Sequence, residues 1–304
     1  MAVTPAQAIE SAQAVFGRHP GYRALHARGV ICRGTFTPTA EAAALSRAAH
    51  LAGPEVPATV RFSNGAGDPG HPDWAPDPRG LAVKLYLPDG SRTDIVAVSS
   101  PVFPTRDPEG FLELLRAQAA GPAAAWKFPL FLRHHPEALR VLPRITPTLA
   151  PPAGYETIPY YGLHAFRWLD AAGGSRFVRY ELRPAAGVKR LTPWAARRRP
   201  RDYLQTGILA RLASGPVEFS LRVQIADPTD PVDDPSAAWP RRRRRVTVGT
   251  LLITGPDDER DRGDDVLVFD PTRVTDGIEC SDDPVLAFRP QAYSESVRQR
   301  MQAR

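Results

Sequence analysis

The chain has 304 residues, is 42% hydrophobic and carries 39 Lys and Arg against 33 Asp and Glu, a formal charge of +6. That length supports one large domain or two ordinary ones. Two cysteines, Cys32 and Cys280, make neither a disulfide framework nor a metal-ligand cluster, no run of about eighteen apolar residues exists to span a membrane, and 33 prolines argue against an all-helical fold.

The N-terminus has no basic region followed by a long apolar run, so no signal peptide is expected and the location expected is cytoplasmic. Residues 4–17 read as an amphipathic helix, with Thr4 as N-cap before Pro5 and apolar Ile9, Ala12, Val15 and Phe16 near helical spacing. A turn at His19-Pro20-Gly21 follows, and residues 39–51 read as a second, alanine-rich helix. Strand patterns run over 58–63, 80–86 and 94–98, the last two joined by the turn Leu87-Pro88-Asp89-Gly90 as a hairpin. Residues 111–119 and 136–142 read as helices. A second strand group covers 161–169, 175–182, 217–225 and 246–253, with the Pro- and Asp-rich loop 227–240 before the last. The segment from Asp283 reads as a helix carrying Tyr293, with Pro290 at its start or kinking it.

About eight antiparallel strands in two groups, with helices outside, predict an α+β fold: an antiparallel eight-stranded β-barrel with peripheral helices. No internal repeat or boundary divides the chain, so residues 1–304 are expected to form a single domain with a short helical arm over 1–20.

The positive charge is almost wholly arginine, concentrated at Arg197–Arg199 with Arg201 and at Arg241–Arg245. Few aromatics interleave with these runs and no nucleic-acid-binding motif accompanies them, so solvated loops are expected rather than a nucleic-acid partner. Near the C-terminus Arg289 stands one helical turn before Tyr293. A free phenol ionises near pH 10 and is a poor ligand at neutrality. A fixed guanidinium favours the anion, and a phenolate suits ferric iron. On spacing alone this is equally a surface pair.

Several segments together resemble the haem catalase family. They are residues 22–29 running on to Gly34-Thr35-Phe36, then Val60-Arg61-Phe62-Ser63, then the ten-residue stretch 77–86, Asp-Pro-Arg-Gly-Leu-Ala-Val-Lys-Leu-Tyr. Asp94-Ile95-Val96, Pro101-Val102-Phe103 and Arg106-Asp107-Pro108 follow, then residues 161–166, Trp239-Pro240, Val248-Gly249, Phe269-Asp270-Pro271 and Gly277-Ile278-Glu279 before Arg289 and Tyr293. The resemblance covers residues 18–300, and the chain looks like the small catalase-related peroxidases, which lack the C-terminal helical domain of ordinary catalases. That difference is expected to leave the haem more open.

The resemblance implies haem of the b type as cofactor, with Tyr293 as axial ligand and Arg289 as its charge partner. It implies His26 as the distal acid–base group and Ser63 as its hydrogen-bond partner. A neutral imidazole can take a proton and then return it. Arg23 is implied on a propionate, where the guanidinium fork suits a carboxylate. Arg61 is expected in a similar supporting role and Phe103 against the haem face. Ser99 stands where ordinary catalases carry a distal asparagine, which implies weak peroxide dismutation.

The function expected is therefore a haem peroxidase that reduces hydrogen peroxide or organic hydroperoxides with a small organic reductant. A true catalase, a hydroperoxide isomerase of the allene-oxide-forming kind and a non-enzymatic haem binder are the alternatives. No membrane partner is expected, and homo-oligomerisation is left open.

Overall fold

The computed structural model describes residues 3–257 and 267–302. The N-terminal helix α1 (Pro5–Phe16) begins as the sequence predicts. Gln7 N–H donates to Thr4 Oγ1 at 3.3 Å and Thr4 N–H to Gln7 Oε1 at 3.0 Å, a reciprocal cap.

Ten strands follow: β1 (Gly29–Pro38), β2 (Val56–Asn64), β3 (Arg79–Tyr86), β4 (Arg92–Val98), β5 (Tyr160–Tyr161), β6 (Phe166–Leu169), β7 (Ser175–Pro184), β8 (Val217–Ile225), β9 (Arg245–Pro256) and β10 (Ile278–Cys280). All pairings are antiparallel. The ring runs β1-β2-β3-β4-β5-β7-β8-β9 and returns to β1, so eight strands close a barrel with no free edge. Strands β6 and β10 extend the sheet beside β7.

Alternation sorts the wall into two faces. Val60, Phe62, Leu81, Val83, Ile95, Ala97, Phe219 and Leu221 fill the interior. Their neighbours Arg61, Ser63 and Lys84 therefore point outward, yet they too are buried. The outer face of this wall is covered, and that cover is where the site lies. Around the barrel sit α2 (Ala40–Ala43), α3 (Ala49–Ala52), α4 (Pro108–Gln118), α5 (Ala124–His134), α6 (Pro136–Ile145), α7 (Pro193–Arg197), α8 (Tyr203–Ala213) and the long C-terminal α9 (Pro284–Gln302).

Three local expectations need correction. Residues 39–51 are not one helix: α2 and α3 are single turns separated at Leu45–Ala48, where the Ser46 hydroxyl donates to Gly277 O. Residues 161–169 are not one strand. The chain leaves the sheet after β5 and re-enters at β6, and His164 lies in the gap. Pro290 falls inside α9, in its second turn, rather than at its start.

The arginine runs brace loops. Arg243 pairs with Asp230 at 2.8 Å and Asp227 at 3.2 Å, closing the 227–240 loop. Arg198 lies 3.3 Å over the ring of Trp194, Arg197 lies 5.6 Å over Trp74, and Arg201 donates to Gly70 O. Neither Cys32 nor Cys280 forms a disulfide among the described residues.

Candidate haem site

The register gathers one end of five strands. Ser63 near the end of β2 faces Gly29 at the start of β1 and Gly80 at the start of β3; Gly80 faces Val98, which faces Tyr161 of β5. His26, Ser63, Ser99 and His164 therefore flank the same end of the wall.

His26 Nδ1 lies 3.0 Å from Ser63 Oγ. The close approach requires glycine at 80, where a Cβ would stand 2.6 Å from Ser63 Oγ and 2.9 Å from His26 Nδ1. Burial, with the charges of Arg61, Arg289 and Arg23, pushes the imidazole down to about 3. His26 nevertheless keeps part of its surface accessible.

Arg61 is not solvent-facing. Its Nη2 donates to the carbonyls of His26 at 3.0 Å and Ala27 at 3.4 Å. Arg23 Nη2 donates to Leu267 O at 2.7 Å, and the Phe103 ring packs 4.9 Å from Phe111 of α4.

Helix α9 brings the other half. Arg289 Nη1 donates to Tyr293 Oη at 2.8 Å. The sequence reading passed over the partners behind this pair. Asp283 Oδ1 accepts from Val285 and Leu286 N–H and so caps α9, while its Oδ2 lies 2.6 Å from His164 Nδ1. Burial, then the charge of Arg289, holds the His164 imidazole near 4 against the pull of Asp283. Neutral His164 thus donates from Nδ1 to Asp283. His164 Nε2 and Arg289 Nε are buried without hydrogen-bond partners. His164 lay within the matched stretch 161–166 and Asp283 at the start of the predicted helix, but nothing in their spacing, 119 residues apart, announced the contact.

Ser99 is buried and its hydroxyl is engaged. Arg79 N–H donates to Ser99 Oγ at 3.0 Å, and Ser99 N–H donates to Arg79 O at 2.8 Å. A further cavity of about 290 Å³ lies between α1 and α9, lined by Tyr22 and Ala24 on either side of Arg23 and by Ser296 and Arg300 beyond Tyr293.

These residues fit a haem. A tyrosine oxygen bonded to a guanidinium, orphaned polar atoms around it, and arginine charges converging on a buried neutral histidine suit an iron porphyrin with anionic propionates.

The catalase family model matches residues 6–304. A catalase-related peroxidase of Mycolicibacterium paratuberculosis is 51% identical over 298 residues, covering 98% of this chain and 95% of that one. A catalase-related peroxidase of Synechococcus elongatus is 33% identical, over 98% of this chain and 89% of its own. The crystal structure of a fungal catalase superposes with a TM-score of 0.82 at 26% identity, covering 93% of this chain and 60% of the fungal one. The barrel, the match over nearly the whole length and the two close relatives agree: the chain belongs to the catalase family.

Proposed function

We propose that the protein is a haem peroxidase, reducing hydrogen peroxide or organic hydroperoxides at the expense of a small organic donor, with haem of the b type held by Tyr293. The observation that carries this reading is the pairing of a buried, neutral His26–Ser63 couple with an Arg289–Tyr293 couple on helix α9.

When bound, haem supplies the iron that takes up peroxide and the electrons for breaking the O–O bond. The chain's own residues do the rest. His26 stays unprotonated across the physiological range, so it can accept the peroxide proton at Nε2 and return it to the departing oxygen. For that role Nδ1 must carry the other proton, donated to Ser63 Oγ, which fixes both tautomer and ring plane. Arg289 donates to the tyrosine oxygen and fixes its position on α9. Arg23, whose charge acts on His26, is the cation for a propionate, and Arg300, buried at the cavity between α1 and α9, supports it. Arg61 holds the backbone carbonyl of His26 and so supports the histidine, in addition to its expected supporting part at the cofactor.

The peroxidase branch is favoured over peroxide dismutation by Ser99. Its short side chain is held at the Arg79 amide, so the O–H it has left to donate reaches less far than an asparagine NH₂ would. The visible spectrum of the purified protein and its peroxide-dependent oxidation of a phenolic donor test the proposal together. A high-spin ferric spectrum with donor oxidation is expected. Haem-free protein after reconstitution, or a bound haem inert to peroxide, overturns it.

A further inference from the structure

We infer that Asp77 is a positioning residue for His26, acting through the backbone of Gly65 and Ala66. The inference rests on the reading of His26 as the proton-handling group. Among the described residues His26 is the one non-glycine with a positive φ, 54°. A left-handed backbone is unfavourable for a residue with a Cβ and relaxes unless its surroundings hold it. No strand or helix does so, since β1 begins only at Gly29.

A short strap holds it instead. His26 N–H donates to Gly65 O at 2.9 Å and Ala27 N–H to Ala66 O at 3.1 Å. The other side of the strap is held by Pro78 O, which accepts from Gly65 N–H at 2.8 Å, and by one carboxylate oxygen that both amides share. Gly65 N–H and Ala66 N–H both donate to Asp77 Oδ2, at 2.7 and 3.1 Å, and Arg79 Nη1 donates to the same atom at 2.8 Å. The strap lies flat on its anchor: a Cβ on Gly65 would stand 2.9 Å from Asp77 Oδ1. Arg61 grips the histidine from its carbonyl side. Among the described residues Asp77 accepts hydrogen bonds only from these amides and from Arg79, so its hydrogen-bonding link to His26 runs through the strap.

Without the Asp77 carboxylate, Ala66 N–H loses its acceptor and Gly65 N–H keeps only Pro78 O, so the strap is loosened. His26 then turns to negative φ and its ring leaves Ser63 Oγ. The consequence is loss of a positioned proton acceptor with its chemistry intact.

The test is the association of cyanide with the ferric holoprotein, a step in which the ligand gives up a proton to the distal base. Asp77→Ala is expected to slow association per bound haem by at least about tenfold, and Asp77→Asn, which keeps one neutral oxygen, to fall between it and the parent. The double variant Asp77→Ala with His26→Ala is expected to be no slower than His26→Ala alone. Multiplying losses mean that Asp77 acts by another route and overturn the inference. Should Asp77→Ala not fold, the same cycle is run with Asp77→Asn. Should His26→Ala itself leave the rate unchanged, the functional reading fails first. The crystal structure of Asp77→Asn then decides the inference: negative φ at His26 supports it, and an unmoved His26 still bonded to Ser63 refutes it.

Discussion

Arg289 places its guanidinium 2.8 Å from the hydroxyl of Tyr293, one turn further along α9, while Asp283 caps the same helix. One helix therefore carries the proposed ligand, its charge partner and the anchor of the histidine behind them. Tyr293→Phe is expected to leave haem absent or weakly held with an altered ferric spectrum. An unchanged spectrum in that variant would remove Tyr293 as ligand. Arg289→Leu is expected to weaken haem retention without unfolding the barrel, read by haem content against the melting temperature.

His26→Ala is expected to retain haem and to consume peroxide at least about a hundredfold more slowly, the usual scale for a positioned acid–base group. Gly80→Ala tests the same pair without touching either member. The new Cβ would intrude on Ser63 Oγ and His26 Nδ1 together. Stopped-flow mixing with peroxide should show a loss approaching that of His26→Ala, and a parent-like rate would mean that the pair is not needed.

Ser99→Asn is expected to raise oxygen evolution relative to donor oxidation. An amide can accept from Arg79 N–H as Ser99 Oγ does and still present its NH₂. Oxygen-electrode and donor-oxidation rates on one preparation measure the ratio. Fast oxygen evolution by the parent, with little donor oxidation, would instead leave a true catalase.

The buried histidines make an acid-stability prediction. Burial holds His50 at about 4, below its ordinary 6.5. Between those values the unfolded chain binds a proton there and the folded chain does not. Stability therefore falls as pH drops from 6.5 towards 4, by about 1.4 kcal/mol per pH unit for this one group. His50→Leu removes that slope. The difference in unfolding free energy between parent and variant should move in the variant's favour on acidification, and parallel pH profiles would show His50 to be charged in the fold.

His135 behaves oppositely. It loses some ground to burial, but bonds to Glu113 at 2.9 Å and Glu137 at 3.1 Å raise its pKa above the ordinary value. A raised folded pKa gives stability that is complete below the ordinary histidine range and disappears as pH rises through the raised value. Glu113→Gln should cost stability at pH 6 and little at pH 9, measured by denaturant unfolding.

Strand β8 was the most legible part of the barrel because it alternates cleanly: Val217, Phe219, Leu221 and Val223 all face the core. Strand β1 was not read as a strand, since Gly29, Arg33 and Gly34 interrupt its pattern and its pairing partner β9 lies far along the chain. Helices α5 and α8 went unread as well. Pro129 inside α5 argues against a helix that tertiary packing of Phe131 nevertheless supports. Arg289 and Tyr293 were visible as an i, i+4 pair. The His164–Asp283 contact was not, because it joins a break between two strands to a helix cap, and neither feature leaves a periodic mark.

Closure of the ring between β1 and β9 sets an order of events. Residues 29–38 must wait for residues 245–256 before their second edge is paired. Contacts of such separation form late and slowly. Tyr293 lies further along still, so during synthesis the wall is chemically complete before its proposed ligand exists. A chain arrested after β9 would hold His26 and Ser63 but no α9, and maturation with haem would follow closure rather than guide it.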